Sequence, residues 1–296
     1  MTDIPTTATR LSALQRPSGG FAMLAVDQRE AMRTMFAAHR TEPVTDQDLR
    51  DFKVAATRIL TPYASGVLVD RQFAFDAVVE QRAVAQGCGL IASADHFEPA
   101  HGELVGTVTI DRQVDPLRVR EQGAVALKLL VLWREDEPAG PRIAMVEEFL
   151  DLCRGAGLIS IIEPVSRGRA DRRPSDTEAG VLAAARELGR LGADLYKAEV
   201  PLKGQGPDDV IRRGCAEISR AVDGPWVVLS SGVPEDVFPH AVRLAMSEGA
   251  SGFLAGRAVW ASCIGAADVE HELRTAAVRR LQALAAVVDE QIEARA

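Results

Sequence analysis

The sequence predicts an α/β fold in which a single domain, residues 1–296, closes into one (β/α)8 TIM barrel. Three observations favour this fold. Short apolar runs alternate with longer segments of helical period, which is typical of parallel strands joined by helical crossovers. No Gly-rich linker separates these units, and barrels of this kind commonly use about 250 residues. The G-x-G-x-x-G fingerprint is absent after the first strand, which disfavours an open dinucleotide-binding sheet.

Eight short apolar runs predict the strands of this barrel. The runs recur between longer segments of helical period, as expected for parallel strands joined by helical crossovers. In chain order the runs cover residues 21–26, 66–69, 89–94, 127–132, 158–162, 193–200, 226–230 and 252–255. Residues 96–113 lack a clear period, and residues 105–110 within them are compatible with a short additional hairpin.

Helix-start signals support the crossovers. Thr45 and Asp48 form a capping-box pair ahead of a helix that runs to about residue 60. Ser175 and Glu178 do the same ahead of a helix to about residue 191, because such pairs satisfy the free N–H groups of a first turn. Further helices are predicted at residues 115–122, 141–154, 208–221 and 235–248, with a closing helix at residues 269–293.

The composition narrows the class of function. The net charge of −8 argues against a nucleic-acid partner, since phosphate backbones attract clustered positive charge. Residues 124–133, the longest apolar stretch, are too few to span a bilayer, and residues 1–16 lack the apolar core of a secretory signal. The four cysteines have no metal-binding spacing: Cys88, Cys153, Cys215 and Cys263. We expect a cytoplasmic protein with reduced thiols and no membrane partner.

Lys197 interrupts an apolar run that otherwise reads as a buried strand. Because burial removes the hydration of an ammonium group, a lysine persists there only if its pKa falls or if a carboxylate pairs with it. Such an amine suits a Schiff-base nucleophile, which condenses with a ketone. The structural alternative is an ion pair with Asp194 or Glu199, or a side chain that reaches the strand end.

Other strands also carry polar residues at or near their ends. Asp27 follows the first strand, Lys128 lies inside the fourth, and Glu163 follows the fifth. Catalytic groups of a barrel gather at the carboxyl ends of its strands. There a second cation lowers the pKa of an amine nucleophile, and carboxylates position protons. The set therefore indicates imine chemistry, although an ion pair or a helix cap would explain either carboxylate taken alone.

Glycine, serine and arginine follow the last two strands, where barrels commonly bind phosphate. Glycine lets the backbone approach an anion, and arginine adds a fork of charged donors. The residues are Ser230, Ser231 and Gly232 after the seventh strand, and Gly256 and Arg257 after the eighth. A phosphorylated substrate is implied, and two glycine-containing turns with a surface arginine are the alternative.

His96 and His101 flank the irregular segment near Asp95. Their separation of five residues outside a helix is not a metal-binding spacing, and no third ligand is evident nearby. We therefore expect a surface loop there, and we expect neither a metal nor an organic cofactor.

Several long motifs resemble one family of class I aldolases. The family includes the tagatose 1,6-bisphosphate aldolases and, with greater similarity, the bacterial sulfofructosephosphate aldolases. The first motif is GGFAMLAVDQREA at residues 19–31. The others are DFK at 51–53, ALKLLVLWR at 126–134, SIIEP at 160–164, DLYK at 194–197, LSSGV at 229–233 and GASGFLAGRAVW at 249–260. Together they extend over nearly the whole chain.

This resemblance implies a role for each motif residue. Lys197 is the imine-forming lysine and Glu163 the proton-transferring acid and base. Asp27 and Lys128 handle the substrate hydroxyls. The phosphate of the dihydroxyacetone phosphate half lies on Ser230, Ser231, Gly232, Gly256 and Arg257. The distal anion lies on Gln28 and Arg29.

The activity implied is the reversible cleavage of 6-deoxy-6-sulfofructose 1-phosphate, a sulfosugar phosphate of sulfoquinovose degradation (sulfoglycolysis), to dihydroxyacetone phosphate and 3-sulfolactaldehyde. A tagatose or fructose 1,6-bisphosphate substrate is the alternative within the class, and a non-catalytic barrel that binds sugar phosphates is the alternative outside it. The resemblance also implies a homo-oligomer. The arginine-rich residues 166–175 depart from the family pattern, and either a cover for the anionic substrate, a subunit contact or a solvated loop would explain them.

Overall fold

The computed structural model describes residues 10–295. Its strands are β1 (Phe21–Ala25), β2 (Gly66–Asp70), β3 (Gly89–Ser93), β4 (Asp95–Ala100), β5 (Glu103–Ile110), β6 (Ala124–Trp133), β7 (Ile159–Ser166), β8 (Leu195–Ala198), β9 (Trp226–Val228) and β10 (Gly252–Ala255). Eight of them form a closed parallel barrel in the order β1-β10-β9-β8-β7-β6-β3-β2. The predicted (β/α)8 barrel is confirmed.

The helices are α1 (Glu30–Ala37), α2 (Asp46–Leu60), α3 (Phe75–Glu80), α4 (Pro116–Glu121), α5 (Ala139–Ala156), α6 (Thr177–Leu188), α7 (Asp208–Ala221), α8 (Phe238–Ser247), α9 (Arg257–Trp260), α10 (Val269–Glu272) and α11 (Val278–Glu293). The capping box that opens α2 is present as predicted, with Thr45 and Asp48 exchanging hydrogen bonds. The cap predicted at Ser175 is wrong by one residue. Asp176 accepts from the N–H groups of Glu178 and Ala179 instead.

Other differences from the predictions concern the ends of elements. Helices α1 and α3 were not predicted, because each is too short to display a helical period. The predicted closing helix is divided by a π-helical turn at Leu273–Ala277. Strand β6 begins three residues before the predicted run and ends one residue after it. Strand β7 continues to Ser166 because the barrel wall also accommodates Glu163 and Ser166 at its upper end.

The hairpin suggested for residues 105–110 is real and longer than expected. Strands β4 and β5 form a separate antiparallel hairpin, which lies between β3 and β6 in chain order. Asp95 begins β4, so this insertion starts at the carboxyl end of a barrel strand.

Two apolar layers enclose the barrel wall. One lies inside the barrel and includes Met23, Ala25, Ala126, Ile161 and Leu195. The other packs the strands against the helices. Because side chains of a strand alternate between faces, the residue two positions beyond each inward-facing residue also points inward. This rule determines which side chains reach the mouth of the barrel.

Two further predictions bear on the class of protein. Cys88, Cys153, Cys215 and Cys263 are free thiols, as expected. No helix within residues 10–295 combines the length and the hydrophobicity needed to cross a membrane. The prediction about a secretory signal concerns residues 1–16, of which residues 1–9 lie outside the described part of the chain.

Candidate active site

Four charged residues form the top inward-facing layer of the barrel. Asp27, Lys128, Glu163 and Lys197 each lie two positions beyond an apolar residue of the interior layer: Ala25, Ala126, Ile161 and Leu195. The period of two therefore brings together side chains from β6, β7, β8 and the end of β1. The structure brings these four residues, grouped from the sequence, into one cluster.

Lys128 is fully buried at the centre of the cluster. Its Nζ lies 2.8 Å from Asp27 Oδ2, 2.8 Å from Asp95 Oδ2 and 3.0 Å from Glu163 Oε2. Burial alone would lower the pKa of Lys128, but the three carboxylates raise it well above its ordinary value. Lys128 is therefore held as a cation and is unsuited to act as the nucleophile.

Lys197 has a simpler environment. Its Nζ lies 2.9 Å from Glu163 Oε1, and its side chain is 4% exposed. It lines the large cavity at the mouth of the barrel. The alternative ion pairs are not formed: Asp194 pairs with Arg10, and Glu199 accepts a hydrogen bond from the N–H of Ser166.

Glu163 lies between the two lysines and borders the cavity. Its Oε2 is buried and, among the described residues, has no hydrogen-bond partner of good geometry despite its nearness to Lys128. A carboxylate that contacts a potential nucleophile and borders the cavity is suited to move a proton between that nucleophile and a ligand.

Asp27 is the second carboxylate of the cavity wall. Burial would raise its pKa, but the charges of Lys128 and Lys197 hold that pKa well below its ordinary value. Asp27 is therefore ionised at neutral pH and can accept a hydrogen bond from a ligand hydroxyl.

The cavity has a volume of about 510 Å³. Nine of the predicted site residues line it: Asp27, Gln28, Arg29, Glu163, Lys197, Ser230, Ser231, Gly256 and Arg257. Lys128 is fully buried behind this wall and is not among the residues that line the cavity. Gly232 lines a side cavity of about 250 Å³ that borders the first at Arg167 and Ser231.

The predicted phosphate-binding residues meet at the carboxyl ends of β9 and β10. Arg257 donates a hydrogen bond to Ser231 Oγ, while the Oγ of Ser230 accepts from the N–H of Ala258 at 3.5 Å. Gly232 has φ +76°, a value that favours glycine. At Gly256 a Cβ would lie 2.3 Å from the carbonyl oxygen of Ala25, so this glycine also allows β10 to approach the end of β1.

Arg29 borders the cavity but is already bound to the protein. It donates to Asp95 Oδ1 at 2.8 Å and to Ser93 Oγ at 3.1 Å. The ring of Phe97, on the hairpin, lies 4.2 Å from the guanidinium carbon. Gln28 beside it has a buried Oε1 without a partner among the described residues. Both side chains are therefore placed to contact a ligand, but the charge of Arg29 is largely neutralised.

Sequence reasoning missed two contributions to the site and one buried ion pair outside it. Asp95 was considered only beside His96 and His101, although it accepts hydrogen bonds from Lys128, Arg29, Ser93 and the N–H of Leu130. The hairpin supplies a wall of the cavity with Phe97, Pro99, Glu103, Leu104 and Val105. A third buried lysine, Lys53, pairs with Asp70 outside the cavity. A carboxylate directly after a buried strand was the available signal for Asp95.

His96 and His101 lie on the hairpin, and both are exposed, as expected for a surface segment. The Nε2 of His96 lies 3.8 Å from Glu98 Oε1, with both side chains exposed. Within residues 10–295 no group of three or more His, Cys, Asp and Glu side chains is arranged to hold a metal ion.

A comparison with protein families decides the class of this site. The sequence model of the family described as "DeoC/LacD family aldolase" matches residues 21–262. The chain belongs to the DeoC/LacD family of aldolases. It is therefore a carbon-carbon lyase, and the barrel-mouth cluster is the natural position of its active site. The non-catalytic alternative is set aside.

Curated relatives of this aldolase extend over most of the chain. The tagatose 1,6-diphosphate aldolase of Listeria monocytogenes serotype 4a is 28% identical over 316 aligned positions, which include 95% of this chain and 90% of that protein. Tagatose 1,6-diphosphate aldolase 1 of Enterococcus faecalis is 28% identical, with 85% of this chain and 83% of that protein aligned.

Solved structures share the fold of this aldolase at low sequence identity. A fructose-bisphosphate aldolase of Plasmodium falciparum has a TM-score of 0.70 and 14% identity, with 96% of this chain and 94% of that chain aligned. An archaeal fructose 1,6-bisphosphate aldolase, described with its catalytic lysine bound to a carbinolamine intermediate, has a TM-score of 0.61 and 18% identity, covering 96% and 100%. These likenesses establish the barrel fold.

Proposed function

We propose that this aldolase works through an imine on Lys197 and cleaves a ketose 1-phosphate that carries a second anion at C6. The observation that carries the proposal is the 2.9 Å separation of Lys197 Nζ and Glu163 Oε1 at the wall of the cavity. An amine with a single carboxylate partner can lose a proton to it and attack the ketone at C2. Loss of water from the resulting carbinolamine gives the protonated imine.

The imine then accepts the electrons of the C3–C4 bond. As this bond breaks, a base removes the proton of the C4 hydroxyl, and the aldehyde half leaves. The remaining enamine takes a proton at C3, and hydrolysis of the imine releases dihydroxyacetone phosphate. We assign the proton transfers to Glu163 and the orientation of hydroxyls to Asp27. We assign to Lys128 the positioning of both carboxylates, because it contacts each of them from behind the cavity wall.

We assign the two anions to two different sets of side chains that line or border the cavity. The phosphate at C1 lies on Ser230, Ser231, Gly232, Gly256 and Arg257. The C6 anion lies on Gln28 and Arg29. Because Asp95 already neutralises much of the charge of Arg29, this second position suits an anion of single charge.

The substrate that we favour is 6-deoxy-6-sulfofructose 1-phosphate, which yields dihydroxyacetone phosphate and 3-sulfolactaldehyde. The resemblance of the long motifs and the neutralised Arg29 support a sulfonate. Tagatose or fructose 1,6-bisphosphate is the second candidate, since tagatose aldolases are relatives with 28% identity over nearly the full chain. We place the reaction in the cytoplasm, where free thiols persist.

Side-by-side turnover distinguishes the two substrates. The purified protein is given the sulfosugar phosphate and each bisphosphate, and the release of dihydroxyacetone phosphate is measured with a coupled dehydrogenase. We expect kcat/KM for the sulfosugar phosphate to exceed the values for the bisphosphates by about 100-fold, the discrimination that a few polar contacts supply. A bisphosphate with the highest kcat/KM would reverse the assignment and leave the aldolase chemistry in place.

A further inference from the structure

We propose that Arg167 is a ligand of the substrate phosphate and completes, with Arg257, the anion site at the carboxyl ends of β7, β9 and β10. The inference rests on the proposed function, because it concerns the phosphate of the dihydroxyacetone phosphate half. Arg167 belongs to the arginine-rich residues 166–175, whose role the sequence left open. It follows β7 directly, four residues after Glu163.

The backbone of Arg167 is fixed, and its side chain faces the site. Its N–H donates to the carbonyl oxygen of Trp133 at 2.9 Å, which continues the pairing of β7 with β6. The side chain lines both the main cavity and the side cavity. Ser231 also lines both cavities and accepts a hydrogen bond from Arg257. Arg167 and Arg257 therefore border the same part of the cavity.

The charges of the cavity wall single out these two arginines. Each carboxylate that lines the cavity has a cationic partner: Asp27 with Lys128, Glu163 with Lys197, Glu30 with Arg33 and Glu103 with Arg134. Among the arginines of the wall, Arg29 is paired with Asp95. Neither Arg167 nor Arg257 forms an ion pair with an acidic residue of the described chain. Arg167 donates instead to the carbonyl oxygen of Ser166 at 3.1 Å.

The two guanidinium groups also influence each other. Burial lowers the pKa of Arg257, and the like charge of Arg167 lowers it further. Arg167 lowers the pKa of Glu199, but burial is the larger effect and raises that pKa to about 7, so Glu199 is only partly ionised at neutral pH. Two like charges that face one cavity repel until an anion binds between them. A phosphate monoester has the charge and the oxygen geometry to accept from both forks.

Two other arginines of the same segment, Arg169 and Arg173, do not share this setting. Arg169 pairs with Glu135 at 2.8 Å and with Asp171 at 2.7 Å. Arg173 is 78% exposed and lies 3.6 Å from Asp171. Neither lines the main cavity. Arg173 is therefore a matched control, since its replacement removes the same charge from the same segment away from the cavity.

The test uses Arg167→Ala, Arg167→Lys and Arg173→Ala. Dihydroxyacetone phosphate is titrated in the presence of borohydride, and mass spectrometry measures the fraction of Lys197 that carries the reduced adduct. The concentration that gives half of the maximal fraction is the half-saturating concentration. We expect Arg167→Ala to raise this concentration about tenfold or more, as the loss of a charged hydrogen bond requires. Arg167→Lys should restore part of the affinity, and Arg173→Ala should match the wild type. Trapping of dihydroxyacetone, which lacks the phosphate, should be unchanged in Arg167→Ala.

A second readout does not depend on the imine. Inorganic phosphate should raise the melting temperature of the wild type and of Arg173→Ala, and should raise that of Arg167→Ala much less. If Arg167→Ala and Arg173→Ala respond alike to dihydroxyacetone phosphate and to phosphate, the inference about Arg167 is overturned. If the wild type binds phosphate but Lys197 is never trapped, the imine proposal fails instead, so the two failures are distinguishable.

Discussion

The carboxylate of Glu163 contacts Lys197 through Oε1 at 2.9 Å, and its other oxygen lies 3.0 Å from Lys128. One carboxylate thus lies between two buried lysines whose surroundings differ. Lys128 has three carboxylate neighbours and no face on the cavity, whereas Lys197 has one such neighbour and lines it. The arrangement keeps one amine charged as a fixed cation and leaves the other as the candidate nucleophile.

Replacement of Lys128 by methionine should destabilise the fold and abolish activity. The change leaves Asp27, Asp95 and Glu163 buried together without their common cation, and loss of one partner of a buried ion pair costs about 3–5 kcal/mol. Urea unfolding measures the free energy of unfolding. The control is Arg213→Ala, which removes an exposed pair with Asp209 and should cost less than about 1 kcal/mol. A loss for Lys128→Met as small as that of the control would contradict the structural role.

Glu163→Gln tests the proton transfer. Glutamine keeps the size of the side chain but cannot carry the proton, so we expect kcat to fall by about 10² to 10⁴. Steady-state turnover measures the effect. Glu199→Gln, on the neighbouring strand end and outside the main cavity, should keep kcat within about threefold of the wild type, the scatter typical of residues that touch no reacting group. Equal effects of the two substitutions would remove Glu163 from the mechanism.

Glu199 should make stability depend on pH. Burial raises its pKa from 4.5 to about 7, so between these values the folded protein holds a proton that the unfolded chain releases. The stabilisation is therefore full below about pH 4.5 and is lost as the pH rises to 7. Glu199→Gln should unfold like the wild type at pH 5 but be more stable at pH 8 by about 1–3 kcal/mol.

Thermal unfolding across pH 5 to 8 measures this difference. The control is Glu270→Gln, whose side chain is 59% exposed and pairs with Arg274 on the surface. It should leave the pH profile unchanged. A profile for Glu199→Gln that runs parallel to the wild type would show that Glu199 titrates normally.

Asp95→Asn should impair both the catalysis that depends on Lys128 and the substrate binding that depends on Arg29. Asp95 accepts from Lys128 and Arg29 at 2.8 Å each, and asparagine removes the charge that holds both cations. We expect KM for the doubly anionic substrate to rise and kcat to fall, each by about tenfold or more. Ser93→Ala, the control, removes a neutral donor to Asp95 and a neutral acceptor of Arg29 and leaves the charges in place. Kinetic constants for Asp95→Asn no worse than those of Ser93→Ala would contradict this coupling.

The barrel and most of the site were predictable because both follow from local rules. The alternation of side chains along a strand brings Asp27, Lys128, Glu163 and Lys197 to one layer once the runs are recognised as strands. These rules do not predict the depth of Lys128 or the contacts of Asp95. The depth of a side chain behind the cavity wall depends on how neighbouring strands pack, and the convergence of four donors on Asp95 depends on a hairpin without a clear period.

Similar reasons explain the other differences. Short helices such as α1 and α3 have too few turns to show a period. Arg167 and Arg173 occur in one basic segment, and only the course of the chain after β7 separates the arginine that faces the cavity from the one that faces solvent.

Reduction of the enzyme with borohydride in the presence of substrate, followed by peptide mass mapping, tests the imine most directly. We predict that one lysine gains the mass of the reduced dihydroxyacetone phosphate adduct, that this lysine is Lys197, and that Lys197→Ala neither gains it nor turns over substrate. An adduct on Lys128 or Lys53 in place of Lys197, or full turnover by Lys197→Ala, would contradict the account.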